Sequence, residues 1–530
     1  MVCHAASVNT LSPTMPLWNV AGILASAHLS YHAARRPDAG PEDLATFSEL
    51  LAKHGQIGLL LLHLTVSGYA TAHALLRKRD SAAIIGWVGL IWLSPLIGAS
   101  VYYVFGINRI QRAAVSLKVS NSWHTGRSEQ IAAIADMRAL SEAFPGRTGL
   151  QEIAHLGEQV SARPLLRGNR VEPLVNGDEA FPAMLEAIAA ARYSITLLTY
   201  IFDADPAGDR FLAALSDAVK RQVEVRILID GLGAIYSKRN MIKRLRLAGV
   251  TAVAFLPFQP HRLRLHFNLR NHRKILVVDG AIGFTGGTNI RHGHCLQEHP
   301  PAPVRCLHFR VEGPVVRQLQ EAFCIDWAFA AGEALTGKRW FPDLPFSGGV
   351  FARGISDGPD EDIGKMADLM CGAIASASRS VQIVTPYFIP EAALMQALAV
   401  AGLRGITVEI VLPEFNNIRL AHWAAVAQLW QLLDKRCRVF LSPLPFDHSK
   451  ILVVDRCWSL IGSTNWDPRS LRLNFEFNLE CYDTTLGEQL AVLIGDRIAE
   501  SRELTVDEWE SMSLPQRLRN GLARLFSPYL

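Results

Sequence analysis

Apolar and polar positions divide the chain into three regions. From His54 to Leu76 no residue is charged, and Arg77-Lys78-Arg79-Asp80 closes the run. A second uncharged run extends from Ser81 to Asn108 and carries Trp87, Trp92, Tyr102 and Tyr103. Both exceed the ~20 residues needed to cross a bilayer. They suit a pair of buried core helices or a membrane hairpin, and their length around a cationic tetrapeptide favours the hairpin, with spans at 55–76 and 82–105. His63 and His73 make the first span the weaker. Met1 to Ala34 is also uncharged, with an apolar stretch from Leu17 to Leu29 but without the basic start of a signal peptide. It reads as a third membrane segment, an interfacial helix or an ill-defined start. Residues 1–110 thus form a membrane region. Arg77, Lys78 and Arg79 draw the hairpin loop towards the cytoplasm, while Arg109, Arg112 and Lys118 draw the opposite end the same way, so sidedness stays open.

Beyond a polar helical connector (111–165), the pattern changes to β-branched runs alternating with amphipathic segments. Strands are expected at Ser194–Phe202, Val223–Ile229 and near Val250, with helices at Asp209–Lys220 and up to Ala248. The same order returns later: strands at Ser380–Phe388, Ile406–Leu412 and Arg438–Leu441, with a helix at Leu420–Leu433. Strand and helix in this alternation imply two layered α/β halves, 166–345 and 346–512, joined by a Gly/Pro-rich linker at Trp340–Gly358. The tail, 513–530, places Leu518, Leu522, Leu525 and Phe526 on one helical face with Arg517, Arg519 and Arg524 elsewhere. Such a helix lies on a bilayer or docks on its own protein.

Composition refines this only in part. A charged fraction of 19% is low for a fully soluble enzyme, and a net charge of +4 implies no general polyanion binder. Between Asp230 and Asp279 there is no acid, while Lys238, Arg239, Lys243, Arg244, Arg246, Arg262, Arg264, Arg270, Arg273 and Lys274 all fall there. That is a solvated helix face or a basic rim for anionic headgroups. The eight cysteines show neither C-x-x-C pairing nor zinc spacing and indicate no disulfide framework. Asp203-x-Asp205 before Pro206 is a polar turn rather than a metal site. No H-E-x-x-H or P-loop lysine motif is present, so chemistry without metal or cofactor is the default.

The candidate chemistry lies in a repeat. Asn271-His272-Arg273-Lys274-Ile275-Leu276-Val277-Val278-Asp279 is followed by Gly286-Gly287-Thr288-Asn289. His448-Ser449-Lys450-Ile451-Leu452-Val453-Val454-Asp455 and Gly462-Ser463-Thr464-Asn465 repeat it at identical spacing, which marks an internal duplication. His and Lys two apart at the start of a buried strand point to the same side. Each copy therefore offers an imidazole and an ammonium together, with a carboxamide close behind. Two such sets suit a phosphoryl group: the lysines and amides stabilise non-bridging oxygens, one histidine attacks phosphorus and the other protonates the leaving alcohol. His4, His28, His32 and His155 have no such company.

The doubled H-x-K-x4-D-x6-G-[GS]-x-N pattern resembles the phospholipase D superfamily. Asn268 to Lys274, Gly286 to Ile290, Val311-Glu312-Gly313-Pro314-Val315-Val316 and Leu473-Asn474-Phe475-Glu476 resemble its bacterial cardiolipin synthase branch, over roughly residues 50 to 530. The resemblance implies two tandem α/β sandwich domains packed face to face around one shared site. Its catalytic set would be His272, Lys274, Asp279, His448, Lys450 and Asp455, the two aspartates serving as structural partners within the motif. Gly287, Asn289, Ser463 and Asn465 would bind phosphate, and Glu476 would orient His448. In the first half, Cys306 stands where relatives carry the aspartate that orients the other histidine, which leaves the orienter of His272 open, with Glu298 and Glu312 as the alternative carboxylates. The implied activity is phosphatidyl transfer through a phosphohistidine to a second phosphatidylglycerol, in the bacterial inner membrane as a multi-pass protein. A hydrolytic phospholipase D is the alternative. The membrane hairpin argues against a superfamily nuclease and a nucleic-acid partner, and a scaffold with a decayed site must explain two otherwise complete motifs.

Overall fold

The computed structural model describes residues 41–77, 81–106, 133–236, 240–257, 269–359 and 364–527. The charges at 78–79 and 109–118, the apolar stretch Leu17–Leu29, Asn268 and four of the basic residues (Lys238, Arg239, Arg262, Arg264) lie outside them. The chain forms two compact units, Met1–Asn108 and Arg109–Leu530.

In the first unit a helix runs from Pro41 to Arg77, and its Gln56–Arg77 stretch is long and apolar enough to cross a membrane. The second expected span, 82–105, is not one continuous helix. It breaks into Ser81–Leu93, Pro95–Val101 and a π-helical turn, Tyr102–Gly106. Pro95 is the cause: a proline disfavours the helical conformation in the residue before it, and Ser94 sits at φ −145°, ψ 79°. Ala70, Ala74, Trp87, Ile91, Ala99 and Tyr102 pack between these helices.

In the second unit the described strands of the first half are β1 (Leu166–Val175), β2 (Ser194–Thr199), β3 (Glu224–Asp230), β4 (Thr251–Phe255), β5 (Arg270–Asn271), β6 (Ile275–Val278), β7 (Ile282–Gly286), β8 (Val304–Arg305) and β9 (Leu307–Glu312). Those of the second half are β10 (Val350–Asp357), β11 (Ser380–Val384), β12 (Thr407–Pro413), β13 (Arg438–Ser442), β14 (Phe446–Asp447), β15 (Ile451–Val454), β16 (Trp458–Gly462), β17 (Asn474–Tyr482) and β18 (Arg502–Leu504). The duplication read in the motifs is repeated in the pairing. The order β9-β7-β6-β2-β3-β4 in one half matches β17-β16-β15-β11-β12-β13 in the other. In each, the motif strand (β6 or β15) is antiparallel to β2 or β11, which runs parallel to the next strand. Ile275–Val278 and Ile451–Val454 are buried at all four positions, because helices cover both faces of these β-branched runs.

The expected linker at Trp340–Gly358 is corrected at its end. Val350–Asp357 is β10, a central strand paired to β17 along its length and to the start of β1. β1 in turn shifts register between Leu166 and Asn169 and continues along β9, so it stitches the two halves into one sheet. Gly349, Gly354 and Gly358 disguise this strand in the sequence. Gly354 is required, since a Cβ there would stand 2.7 Å from Cζ of Phe477. Arg353 within it is buried against Glu480 and donates to Ala154 O at 2.8 Å.

Candidate active site

Two short parallel bridges place the histidines. β5 pairs with the start of β17, Arg270 opposite Asn474 and Asn271 opposite Phe475, so that His272 N donates to Phe475 O at 2.9 Å. Likewise β14 pairs with β8, and His448 N donates to Arg305 O at 2.8 Å. Each histidine is thus held by backbone from the opposite half, and the next residue on that backbone stands beside it: Glu476 by His272, Cys306 by His448. A buried scaffold fixes the first bridge. Asn271 N donates to Asp230 at 2.8 Å, and both Asn271 Nδ2 and Arg273 bond Asp326, at 2.8 and 2.7 Å.

The two imidazoles face each other with ring centroids 6.3 Å apart and planes at 80°. His272 Nδ1 lies 3.0 and 3.1 Å from the Glu476 carboxylate oxygens. A carboxylate only accepts, so Nδ1 carries the proton and Nε2 keeps its lone pair. His448 Nδ1 bonds Gly287 O at 3.1 Å, which sets the same tautomer without a charge. This reverses the expected assignment: Glu476 orients His272 rather than His448, and Cys306 lies beside His448 rather than His272. Cys306 Sγ is 3.4 Å from His448 O.

Lys274 Nζ donates to His272 O at 2.6 Å and lies 5.6 Å from the centre of the Tyr200 ring. Lys450 Nζ donates to His448 O at 2.5 Å. Burial lowers both ammonium groups, Lys274 to about 7 and Lys450 to about 8, and in each case nearby Glu476 opposes the fall. Burial likewise takes His272 down to about 4, Glu476 working against it and Lys274 and Lys450 with it. His448 falls well below its ordinary value through burial, then Lys450, Lys274 and His272. Burial would raise Glu476, but His272 and Lys274 hold it below the usual carboxylate value. Cys306 is pushed up to about 11 by burial despite Lys450, so it stays a neutral thiol. The pocket is a desolvated cradle lined by cationic groups, and a bound anion relieves it.

Gly287 is where two elements meet. A Cβ there would stand 2.6 Å from Cys306 Sγ and 2.9 Å from His448 O. Its counterpart Ser463 instead uses its hydroxyl, accepting from Phe477 N at 3.0 Å behind Glu476. Asn289 accepts from Ile201 N at 3.2 Å, leaving its Nδ2 for a ligand, and Asn465 Nδ2 donates to Ser470 Oγ at 3.2 Å. Both are buried. Asp279 and Asp455 are placed elsewhere. Each lies beyond the far end of its motif strand in the left-handed region, at φ 51° and 52°. Asp279 accepts from the amides of Arg192, Tyr193 and Ser194, and Asp455 from those of Ser378, Arg379 and Ser380. They staple the motif strand to the start of its neighbour and touch no reacting group, so their part is structural.

The chain matches the family described as "Cardiolipin synthase, PLD-like domain" over residues 184–299 and 370–496, one match for each half. Cardiolipin synthase A of Pseudomonas aeruginosa (strain LESB58) is 32% identical over 485 residues, covering 89% of this chain and 96% of that protein. The chain belongs to the cardiolipin synthase family of phosphatidyltransferases. The major cardiolipin synthase of Bacillus subtilis (strain 168) is 30% identical over 463 residues, 86% of this chain and 95% of its own. The crystal structure of phosphatidylserine synthase from Haemophilus influenzae Rd KW20 has the same fold, at a TM-score of 0.55 and 15% identity over 72% of this chain and 100% of that one.

Around this cardiolipin synthase-type site stand residues that the motif did not reveal. Tyr200 meets His272 edge-on at 5.2 Å, and Phe446 stands 6.1 Å from His448. Asn474 donates to Glu476 at 3.2 Å. Asp467, two residues after Asn465, is buried and pushed up to about 7 by that burial, with its Ser470 amide bond opposing and Glu476 adding. Tyr200 follows the end of β2 and Phe446 opens β14, positions that only the fold makes legible. Among the described residues of the basic stretch, Arg270, Arg273 and Lys274 are interior rather than on a rim, and Arg244 pairs with Asp209 at 2.7 Å.

Proposed function

We propose that the chain transfers a phosphatidyl group from one phosphatidylglycerol to another through a phosphohistidine on His272. The observation that carries this reading is the unequal partnership across the seam, a carboxylate behind His272 and a carbonyl behind His448. An anion behind Nδ1 stabilises the positive charge that grows on the ring as Nε2 attacks phosphorus. A protonated His448 without an anion gives up its proton more readily, which suits the acid.

The anionic phosphodiester, once bound, offsets the lysine charges and lets His448 take up a proton at Nε2. In the first step the His272 Nε2 lone pair then forms the N–P bond, the P–O bond to the headgroup glycerol breaks, and His448 Nε2–H protonates the leaving oxygen. In the second, the terminal hydroxyl of another phosphatidylglycerol passes its proton to neutral His448, its oxygen bonds phosphorus, and the N–P bond breaks. Cardiolipin leaves, and both histidines return to their starting states. Lys274, Lys450, Asn289 and Asn465 hold the non-bridging oxygens throughout. The apolar Gln56–Arg77 stretch anchors the chain in the cell membrane, and the broken Ser81–Val101 segment packed on it returns through the bilayer as the second pass of a multi-pass anchor. Product analysis of purified enzyme with phosphatidylglycerol tests this reading. Cardiolipin and free glycerol in equal amounts support it, and phosphatidic acid as the sole lipid product, unaffected by added alcohols, replaces it with hydrolysis.

A further inference from the structure

The tail helix Leu514–Arg524 serves two faces. Asn520 and Ala523 are buried, the latter in a cluster with Ile389, Ala421, Ala424 and Ala425 of the second half. At about 100° per residue, Leu514, Leu518, Leu522 and Leu525 fall within an arc of about 80° on the opposite side. That stripe is uncovered: Leu522 is 62% and Leu525 72% exposed. The alternatives of docking on the protein and facing outward are therefore both realised, on opposite sides of one helix.

Two further observations say what covers the stripe. Its flanks are cationic: Arg519 lies over the Trp423 ring at 4.5 Å and Arg517 over Trp509 at 5.4 Å, aromatic supports that hold the guanidinium groups beside the leucines. Among the described residues, neither of these nor Arg524 forms an ion pair with a carboxylate. The helix also runs towards the active site. Trp509, ahead of it, meets Trp430 at 6.3 Å between ring centres, and Ala523, near its end, packs by Ala421, so it is antiparallel to the helix Arg419–Leu433 and its C-terminal end lies by Tyr387. Tyr387 meets Phe446 at 6.3 Å, and Phe446 meets His448 at 6.1 Å. Exposed Phe415 and Ile418 precede that same helix.

We infer that the leucine stripe of the tail helix seats on the anionic lipid surface and sets the pocket mouth by Phe446 against it. Leucines enter the acyl boundary and the arginines meet lipid phosphates, the arrangement by which a cationic amphipathic helix lies in an interface. The inference rests on the phospholipid reading of the site, and soluble short-chain phosphatidylglycerol separates the two.

The test uses full-length enzyme in lipid nanodiscs, with phosphatidylglycerol diluted into phosphatidylcholine. Leu518→Ser/Leu522→Ser/Leu525→Ser should raise the half-saturating mole fraction of phosphatidylglycerol by about tenfold or more, since each leucine forfeits substantial burial in lipid. Turnover of monomeric dihexanoyl-phosphatidylglycerol should stay within about twofold of wild type. Equal losses on both substrates would make the stripe structural, and no change in nanodiscs would make it idle; either overturns the inference. Wild type inert on both substrates would instead remove the functional reading itself. In parallel, Leu522→Cys should react with a polar maleimide at least about tenfold more slowly in discs containing phosphatidylglycerol than in phosphatidylcholine discs. Equal rates, or protection that follows protein rather than lipid concentration and so points to a second copy of this chain, contradict it.

Discussion

Glu476 accepts from Nδ1 of His272 at 3.0 Å, although 204 residues separate them and each belongs to a different half of the duplication. The carboxylate is fully buried, and the bridge between β5 and β17 fixes its distance to the ring. Neither half alone builds a working histidine.

Replacing that carboxylate by its neutral isostere isolates the charge. Glu476→Gln still offers an oxygen to Nδ1–H, so the fold and lipid KM should change little. Turnover should fall by about a hundredfold or more, as when a buried acid behind a catalytic histidine is neutralised. Steady-state kinetics on phosphatidylglycerol check this, and a loss confined to KM would point to binding instead.

Cys306→Asp addresses the other histidine. As a neutral thiol, Cys306 leaves the imidazolium of His448 without an anion. An aspartate there should raise the His448 pKa. The acid must be protonated to work, so activity is lost as pH rises through that pKa. The substitution should therefore move the alkaline limb of kcat to higher pH while leaving the acid limb in place. Superimposable profiles from wild type and variant would show that position 306 does not act on His448.

The lysines give KM its own pH dependence. Burial depresses both ammonium groups, Lys274 to about 7 and Lys450 to about 8. Below those values both are charged and hold the phosphodiester. As pH rises through them the free enzyme loses positive charge, and KM for phosphatidylglycerol should climb. A KM that is flat from pH 6 to 9 would contradict this.

Asp279 and Asp455 should matter for stability rather than chemistry. Each carboxylate gathers three backbone amides at the start of a neighbouring strand. Asp279→Ala or Asp455→Ala should cost about 1–3 kcal/mol for the acceptor lost, read as a lowered melting temperature. Turnover per folded enzyme should be retained. A full-strength melting transition with lost turnover would return these residues to the reaction.

How far the sequence could be read follows from which contacts are local. The His, Lys and Asn positions were legible because a buried strand imposes its own spacing, and a second copy at that spacing removes coincidence. The partner of each histidine was not. Sequence proximity ties Glu476 to the motif at His448, whereas the parallel bridges β5–β17 and β8–β14 cross between halves and exchange the partners. Similarly, glycines that let β10 lie close to Phe477 look like linker, and Pro95 breaks an apolar run whose composition alone suggests one helix.

The most direct test asks which histidine carries the phosphatidyl group. His448→Ala removes the acid, so a phosphatidyl donor with a leaving group that needs no proton, such as p-nitrophenol, should load the enzyme and stall. Peptide mass spectrometry at alkaline pH, where phosphohistidine survives, should find the modification on His272 and none in His272→Ala. A phosphatidyl group mapped to His448 in the His272→Ala protein would reverse the roles and contradict the part assigned to Glu476.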